Sequence, residues 1–201
     1  PYSMVMWLLA SFVLLGQQDE APRFRAEQIF PPDQKQTHAP GIVECPNGDL
    51  LASWYGDSGG PGENNDGAVY GARWLEETDS AWSETFVMAD RPGFPDGNTT
   101  MMVDNEDRLW LFWPTVLAGS WESCLMNYKV SSDYARPWIP NWDREGVILL
   151  KPAPFRDEVL KALDGRELRP PRGARGGPAE QRAKLDDPLY QRLGWAPRCK
   201  P

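Results

Sequence analysis

Two stretches of this 201-residue chain repeat the same order of short apolar runs and turns. In the first, "GIVEC" (41–45) leads through the turn "PNGD" to "LLASWYG", then a Gly/Asn-rich loop and "GAVYGARW" (67–74). In the second, "TTMMVD" (99–104) leads through "NEDR" to "LWLFWPT", a loop and "SCLMNYKVSS" (123–132). Runs of branched and aromatic residues bounded by Gly, Asn, Asp and Pro read as strands and turns. Leu50 corresponds to Leu109 and Trp82 to Trp138, an offset of about 56 to 59 residues. A four-stranded unit recurring at that period suggests a β-propeller blade, which buries its two faces only against neighbouring blades. The predicted class is therefore all-β: a partial propeller of about two blades over residues 36–150, with a short helical insertion.

Composition agrees with short strands. Twenty Pro and 18 Gly favour turns over long helices, and 41% hydrophobic residues suffice for one core of ordinary size. Ten Trp point to an aromatic-lined core or groove, of which sugar-binding clefts are one common use. The formal charge of −8 argues against nucleic acid as a partner, because a phosphate backbone would be repelled. The basic stretch Arg166 to Arg175 is rich in Gly and Pro and reads as a solvated loop. Cys45, Cys124 and Cys199 lack metal-type spacing and read as free thiols, or as one disulfide with a thiol left over. No metal or other cofactor is expected.

Residues 151–193 break the strand pattern. "FRDEVLKALDG" (155–165) sets Val159, Leu160 and Leu163 at helical spacing before a Gly, and "PAEQRAKLDDPLYQRLGW" suggests a second short helix. The Pro/Gly/Arg stretch 169–178 would link them. At the other end, residues 1–20 contain the apolar run Val5 to Gly16, too short to span a membrane and suited to an export signal. That predicts a secreted or periplasmic protein with no stable membrane span.

"SSDYARPW" (131–138) resembles the aspartic-acid box, S-x-D-x-G-x-x-W, of sialidase (neuraminidase)-like BNR-repeat propellers, with Ala135 at the glycine place. Ser and Asp side chains suit a hairpin because they hydrogen-bond the turn's own amides, while the Trp packs into the blade. "ETDSAW" (77–82) is a shorter counterpart in the first unit, keeping Asp79 and Trp82. The order from "HAP" (38–40) through "PNGDLLASW" is also similar to that family, and "RLGWAPRCKP" resembles the lead-in to a further blade, residues 194–201. Such propellers usually have six blades, so the resemblance implies an N-terminal fragment of a longer protein, inactive by itself.

The resemblance also implies a site. Sialidases bind a substrate carboxylate with three arginines, use a Tyr–Glu pair as nucleophile and an Asp as acid/base. Where the family places its first arginine, this chain has His38, the only histidine. A guanidinium grips a carboxylate with two parallel hydrogen bonds, whereas an imidazole is mostly neutral at pH 7. His38 is thus a candidate substrate ligand or acid/base group, with an edge-strand bystander as the alternative. The acid/base Asp would lie on the loop after "LLASWYG", where Asp57 and Asp66 are candidates and Glu63 a third. In the second unit Asn98 of "DGNTT" matches "HAP" and is a candidate polar contact. Trp121 is a candidate stacking platform, while Trp113 reads as core. Arg198 and Lys200 would supply cations from the third blade. The function implied is a sialidase-like, glycan-active propeller, an exo-glycosidase on acidic sugars. The alternatives are a non-catalytic carbohydrate-binding or interaction propeller, and a His-dependent sugar lyase or atypical glycosidase.

Overall fold

A computed structural model describes residues 26–32, 37–57, 66–75, 82–135, 139–149, 155–164, 178–187, 189 and 192–194. The chain is mostly β. Strands β1 (Thr37–Glu44), β2 (Leu50–Asp57), β3 (Gly67–Trp74) and β4 (Phe86–Ala89) form one antiparallel sheet in that order. Strands β5 (Thr100–Val103), β6 (Leu109–Val116), β7 (Cys124–Ser131) and β8 (Arg144–Ile148) form a second of the same kind. A single turn of 3-10 helix, Trp121–Ser123, precedes β7. Helices α1 (Phe155–Asp164) and α2 (Pro178–Asp186) follow, facing each other through the ion pairs Arg156–Asp186 at 2.9 Å and Arg182–Asp164. The two sheets lie side by side without closing into a ring.

Period-two alternation explains the packing. Along β6, Leu109, Leu111, Trp113 and Thr115 are buried, while Trp110 and Phe112 stand half-buried on the opposite face. Leu51, Val69 and Met88 of the first sheet meet Leu109, Leu111 and Trp113 of the second in one core. On the far face of the first sheet, Ala52, Trp54 and Ala72 pack with Tyr70 and Trp82 under Ile29 and Phe30.

The repeat extends to backbone angles. In the first turn Gly48 adopts a left-handed φ of 87°, and its amide bonds the Cys45 carbonyl at 2.9 Å. In the second, Asp107 adopts φ 55°, and its amide bonds the Asp104 carbonyl at 3.1 Å. Glycine takes that conformation without strain, and an aspartate is among the few other residues that tolerate it.

β1 begins at Thr37, so His38 lies at the head of the strand, paired with Tyr55. The register shifts between His38 and Gly41, where Ala39 takes φ 50°. A bulge of this kind extends pairing past the "HAP" stretch that propensity alone leaves unpaired. Residues 1–20, most of the link 169–178 and nearly all of 194–201 lie outside the described residues. Among the described residues no helix is long and apolar enough to cross a membrane.

Candidate functional site

In an antiparallel meander the strand ends alternate. The start of β1, the end of β2, the start of β3, the lead into β5 and the end of β6 therefore share one end of the two sheets. His38, Asp57, Asp66, Asn98 and Trp121 all lie at that end. The His38 ring stacks on Tyr55 with centroids 5.4 Å apart and an interplanar angle of 21°. It also lines an open, mainly apolar cleft of about 390 Å³ with Ile29, Phe30, Pro32, Pro40 and Trp54. Phe30 and Trp54 form its aromatic wall, their rings 5.2 Å apart. Left-handed Ala39 beside His38 is buried, and a non-glycine residue in that conformation stores about 1 kcal/mol of strain.

Asp57 ends β2 opposite Gly67, and Asp66 directly precedes β3. Both are half-buried. The Asp66 carboxylate accepts the Gly93 amide at 3.1 Å, which ties the head of β3 to the segment after β4. Nearby, burial pushes the Tyr70 phenol above its usual range, and the charges of Asp90, Asp57 and Asp66 push it the same way.

The second sheet contributes "DGNTT". Asp96 is 2% exposed and acts as a hub. Its Oδ1 accepts Trp113 Nε1 at 2.9 Å and the Thr115 hydroxyl, and its Oδ2 accepts the Arg91 amide at 2.8 Å. Burial raises its pKa even though these three donors favour the charged form. Thr115 is supported in turn by Asn127 Nδ2 at 2.8 Å. The Asp96 amide donates to the Gly67 carbonyl at 2.7 Å, joining the two sheets. Across the same seam the Ser53 and Thr99 hydroxyls share a hydrogen bond of 2.9 Å. Asn98 is 8% exposed, and its buried Nδ2 has no hydrogen-bond partner. One residue away, a Cβ on Gly97 would sit 4.0 Å from Trp121 Cζ3. Trp121 is 40% exposed, whereas Trp113 is buried.

The opposite end is structural. Ser131 Oγ accepts the Asp133 amide at 3.2 Å, the self-bonded hairpin expected of the "SSDYARPW" stretch. The Asp133 carboxylate accepts Asn141 Nδ2 at 2.7 Å, and Trp138 lies outside the described residues. This hairpin docks on the first sheet. Arg73, with 0% exposure, pairs with Asp49 at 3.3 Å and donates to the Tyr134 carbonyl, while Asn47 donates to the Ala135 carbonyl at 2.9 Å. Cys45 and Cys124 are buried free thiols. Burial raises both, Cys124 to about 11, so neither is a thiolate nucleophile at neutral pH.

Glu63, Arg198 and Lys200 lie outside the described residues. Sequence reasoning missed Asp96 and Arg73. Asp96 was legible only through Trp113 and Thr115, two groups with donors on the buried face of β6. Arg73 carried a signal too, a lone cation in the otherwise small and apolar "GAVYGARW". Among the described residues no three His, Cys, Asp or Glu side chains are grouped to hold a metal ion. No protein-family model matches the chain, and no curated protein matches it.

Proposed function

We propose that the two sheets are adjacent blades of a sialidase-like propeller and that their shared end recognises carbohydrate. The blade reading is supported by the two meanders, by the matching left-handed turn residues, and by the approach of β1 to β5. A Cβ on Gly41 would come within 3.7 Å of the Thr99 carbonyl oxygen. The observation that carries the carbohydrate reading is Trp121, 40% exposed at this end, whose indole supplies a flat apolar face against which a sugar ring stacks.

Titration of the chain against a panel of glycans tests this. Trp121→Ala should weaken binding about tenfold or more while leaving the far-UV circular dichroism unchanged. Glycan binding that Trp121→Ala leaves unaltered would overturn the assignment of the site. Hydrolysis is the second reading, favoured by Asp57 and Asp66 on neighbouring strand ends, since glycosidases flank the scissile bond with two carboxyl groups. If it is right, Asp57→Asn or Asp66→Asn lowers turnover of a chromogenic glycoside about a hundredfold. His38→Ala separates the readings: a histidine used in proton transfer lowers turnover, and one used for orientation lowers affinity alone.

A further inference from the structure

We infer that the chain associates with copies of itself head to tail, the outer face of the second sheet in one copy seating on the outer face of the first sheet in the next. Strand register carries this, whatever the strand ends bind. Leu50 faces Trp74 across β2 and β3, and Leu109 faces Ser131 across β6 and β7, so Leu50 and Leu109 hold the same place in their sheets. Leu51 then matches Trp110, Ser53 matches Phe112, and Trp54 matches Trp113. By the same register Val69 matches Met126, and Ile42 matches Met101.

Side chains alternate between the two faces of a sheet, and the core uses unlike faces of the repeat. The first sheet turns Leu51 and Val69 to it, whereas the second turns Met101, Leu109, Leu111 and Trp113. The two outer faces are therefore the same unlike pair. The second sheet's outer face holds Trp110, Phe112 and Met126, the counterparts of Leu51, Ser53 and Val69. The first sheet's outer face holds Ile42 and Trp54, the counterparts of Met101 and Trp113.

Burial follows the same logic. Leu51, Ser53 and Val69 are buried, while Trp110, Phe112 and Met126 in the matching places are half-buried. Met101 is 4% exposed in the core, whereas its counterpart Ile42 is 59% exposed. Among the described residues no third sheet lies on either outer face. Ile29 and Phe30 pack over Trp54 in the middle of the first sheet's face and leave Ile42 and Val87 exposed on the flanking strands β1 and β4. On the second sheet Trp110 and Phe112 stack with centroids 5.7 Å apart, and Tyr128 lies 5.7 Å from Trp110, making an aromatic plate. Arg108 and Arg144 hang over Trp110 at 5.9 and 5.5 Å, so the seat centres on Phe112 and Tyr128.

A second copy is the occupant that fits, because it brings the kind of face that already packs inside the chain. Pairing unlike faces leaves one of each free at the ends, so assembly passes beyond the dimer until a ring closes or a filament forms. Each copy carries a formal charge of −8, and the resulting repulsion opposes assembly at low salt.

Analytical ultracentrifugation of the full chain at about 10 to 500 µM tests this. The mass should rise with concentration past that of a dimer, and more steeply at about 500 mM salt than at about 50 mM. Phe112→Arg spoils the second sheet's face and Ile42→Asp spoils the first's, and each should weaken association about tenfold or more. Mixed in equal amounts, these variants keep one intact pairing between them and should form a one-to-one dimer that grows no further. Met102→Arg on the edge strand β5 and Val87→Asp repeat the test on the same two faces, so a variant that folds poorly by far-UV circular dichroism does not decide the matter. A chain that stays monomeric throughout, or a wild-type assembly that stops at the dimer, overturns the inference. A mixture of well-folded variants that remains monomeric overturns it as well. Glycan titration reads the strand ends separately, so the carbohydrate reading stands or falls by its own test.

Discussion

At the scale of single residues, two aspartates of the same sheet respond to acid in opposite senses. Asp96 is buried, and its folded pKa lies above the ordinary 3.8. The native state therefore binds a proton that the unfolded chain releases, and stability falls as pH rises from about 3.8 through the folded pKa. Asp104, in the turn before β6, accepts the Glu106 and Arg108 amides at 3.0 Å each and Trp110 Nε1 at 2.7 Å. Desolvation opposes its charge, but these bonds and the Arg108 guanidinium outweigh it and hold the carboxyl well below its usual range. Its contribution is present above the ordinary value and is lost as pH falls below it. Urea unfolding between pH 3 and 7 should show both: Asp104→Asn flattens the acid side, and Asp96→Asn removes the decline toward neutrality. Asp96→Ala strands the Trp113 and Thr115 donors in the core and should cost about 3 kcal/mol, read as a lower urea midpoint.

At the scale of elements, the contacts between sheets decide what tolerates change. Arg73 reaches from β3 to the turn at Asp49 and to the hairpin at Tyr134. Arg73→Met leaves Asp49 buried without its cation and should destabilise by about 3–5 kcal/mol, whereas Arg73→Met with Asp49→Asn should recover part of the loss. Chemical denaturation of the two single variants and the pair measures the coupling. Additive losses would mean the ion pair does not act as a unit. Gly67 is a second such contact, because a Cβ there would meet the Asp96 oxygen at 3.1 Å and the Gly56 oxygen at 3.3 Å. Both obstacles are backbone, so Gly67→Ala should cost about 1–3 kcal/mol. These contacts also mark where the sequence stops being readable. Strand order and the two turns were legible because alternation and turn chemistry are local signals. The partners of Arg73 and Asp96 were not, since a lone charge in a strand does not announce which distant carbonyl or hydroxyl it will meet. The Ala39 bulge was not legible for a related reason: it arises in the pairing of β1 with β2 and not from the preferences of "THAP". Of the candidate site, the residue types were visible early, but the unsatisfied amide of Asn98 is a property of packing alone.

At the scale of the whole molecule, the two sheets share a single core although each is a separate hydrogen-bonded unit. Leu51, Val69 and Met88 from one and Leu109, Leu111 and Trp113 from the other bury each other. Polar ties run along the same seam, including Ser53 to Thr99, the Asp96 amide to Gly67, and Lys129 Nζ to the Met88 carbonyl at 3.0 Å. The face each sheet turns to this core stays buried only while the other is in place, so the sheets should unfold in one cooperative step. The helices differ. α1 and α2 are linked by exposed ion pairs, which contribute little, and Leu185 is the one fully buried apolar residue described in them. Hydrogen exchange should therefore find amides of β2, β3, β6 and β7 opening with one common free energy, and amides of 155–164 and 178–186 exchanging faster. Asp96→Ala should lower protection in β2 and β3 as much as in β6 and β7, because a shared core transmits the loss to both sheets. Two distinct protection levels, one per sheet, with only the second sheet responding to the substitution, would show that the sheets fold independently and that the seam between them is a docking surface, not a core.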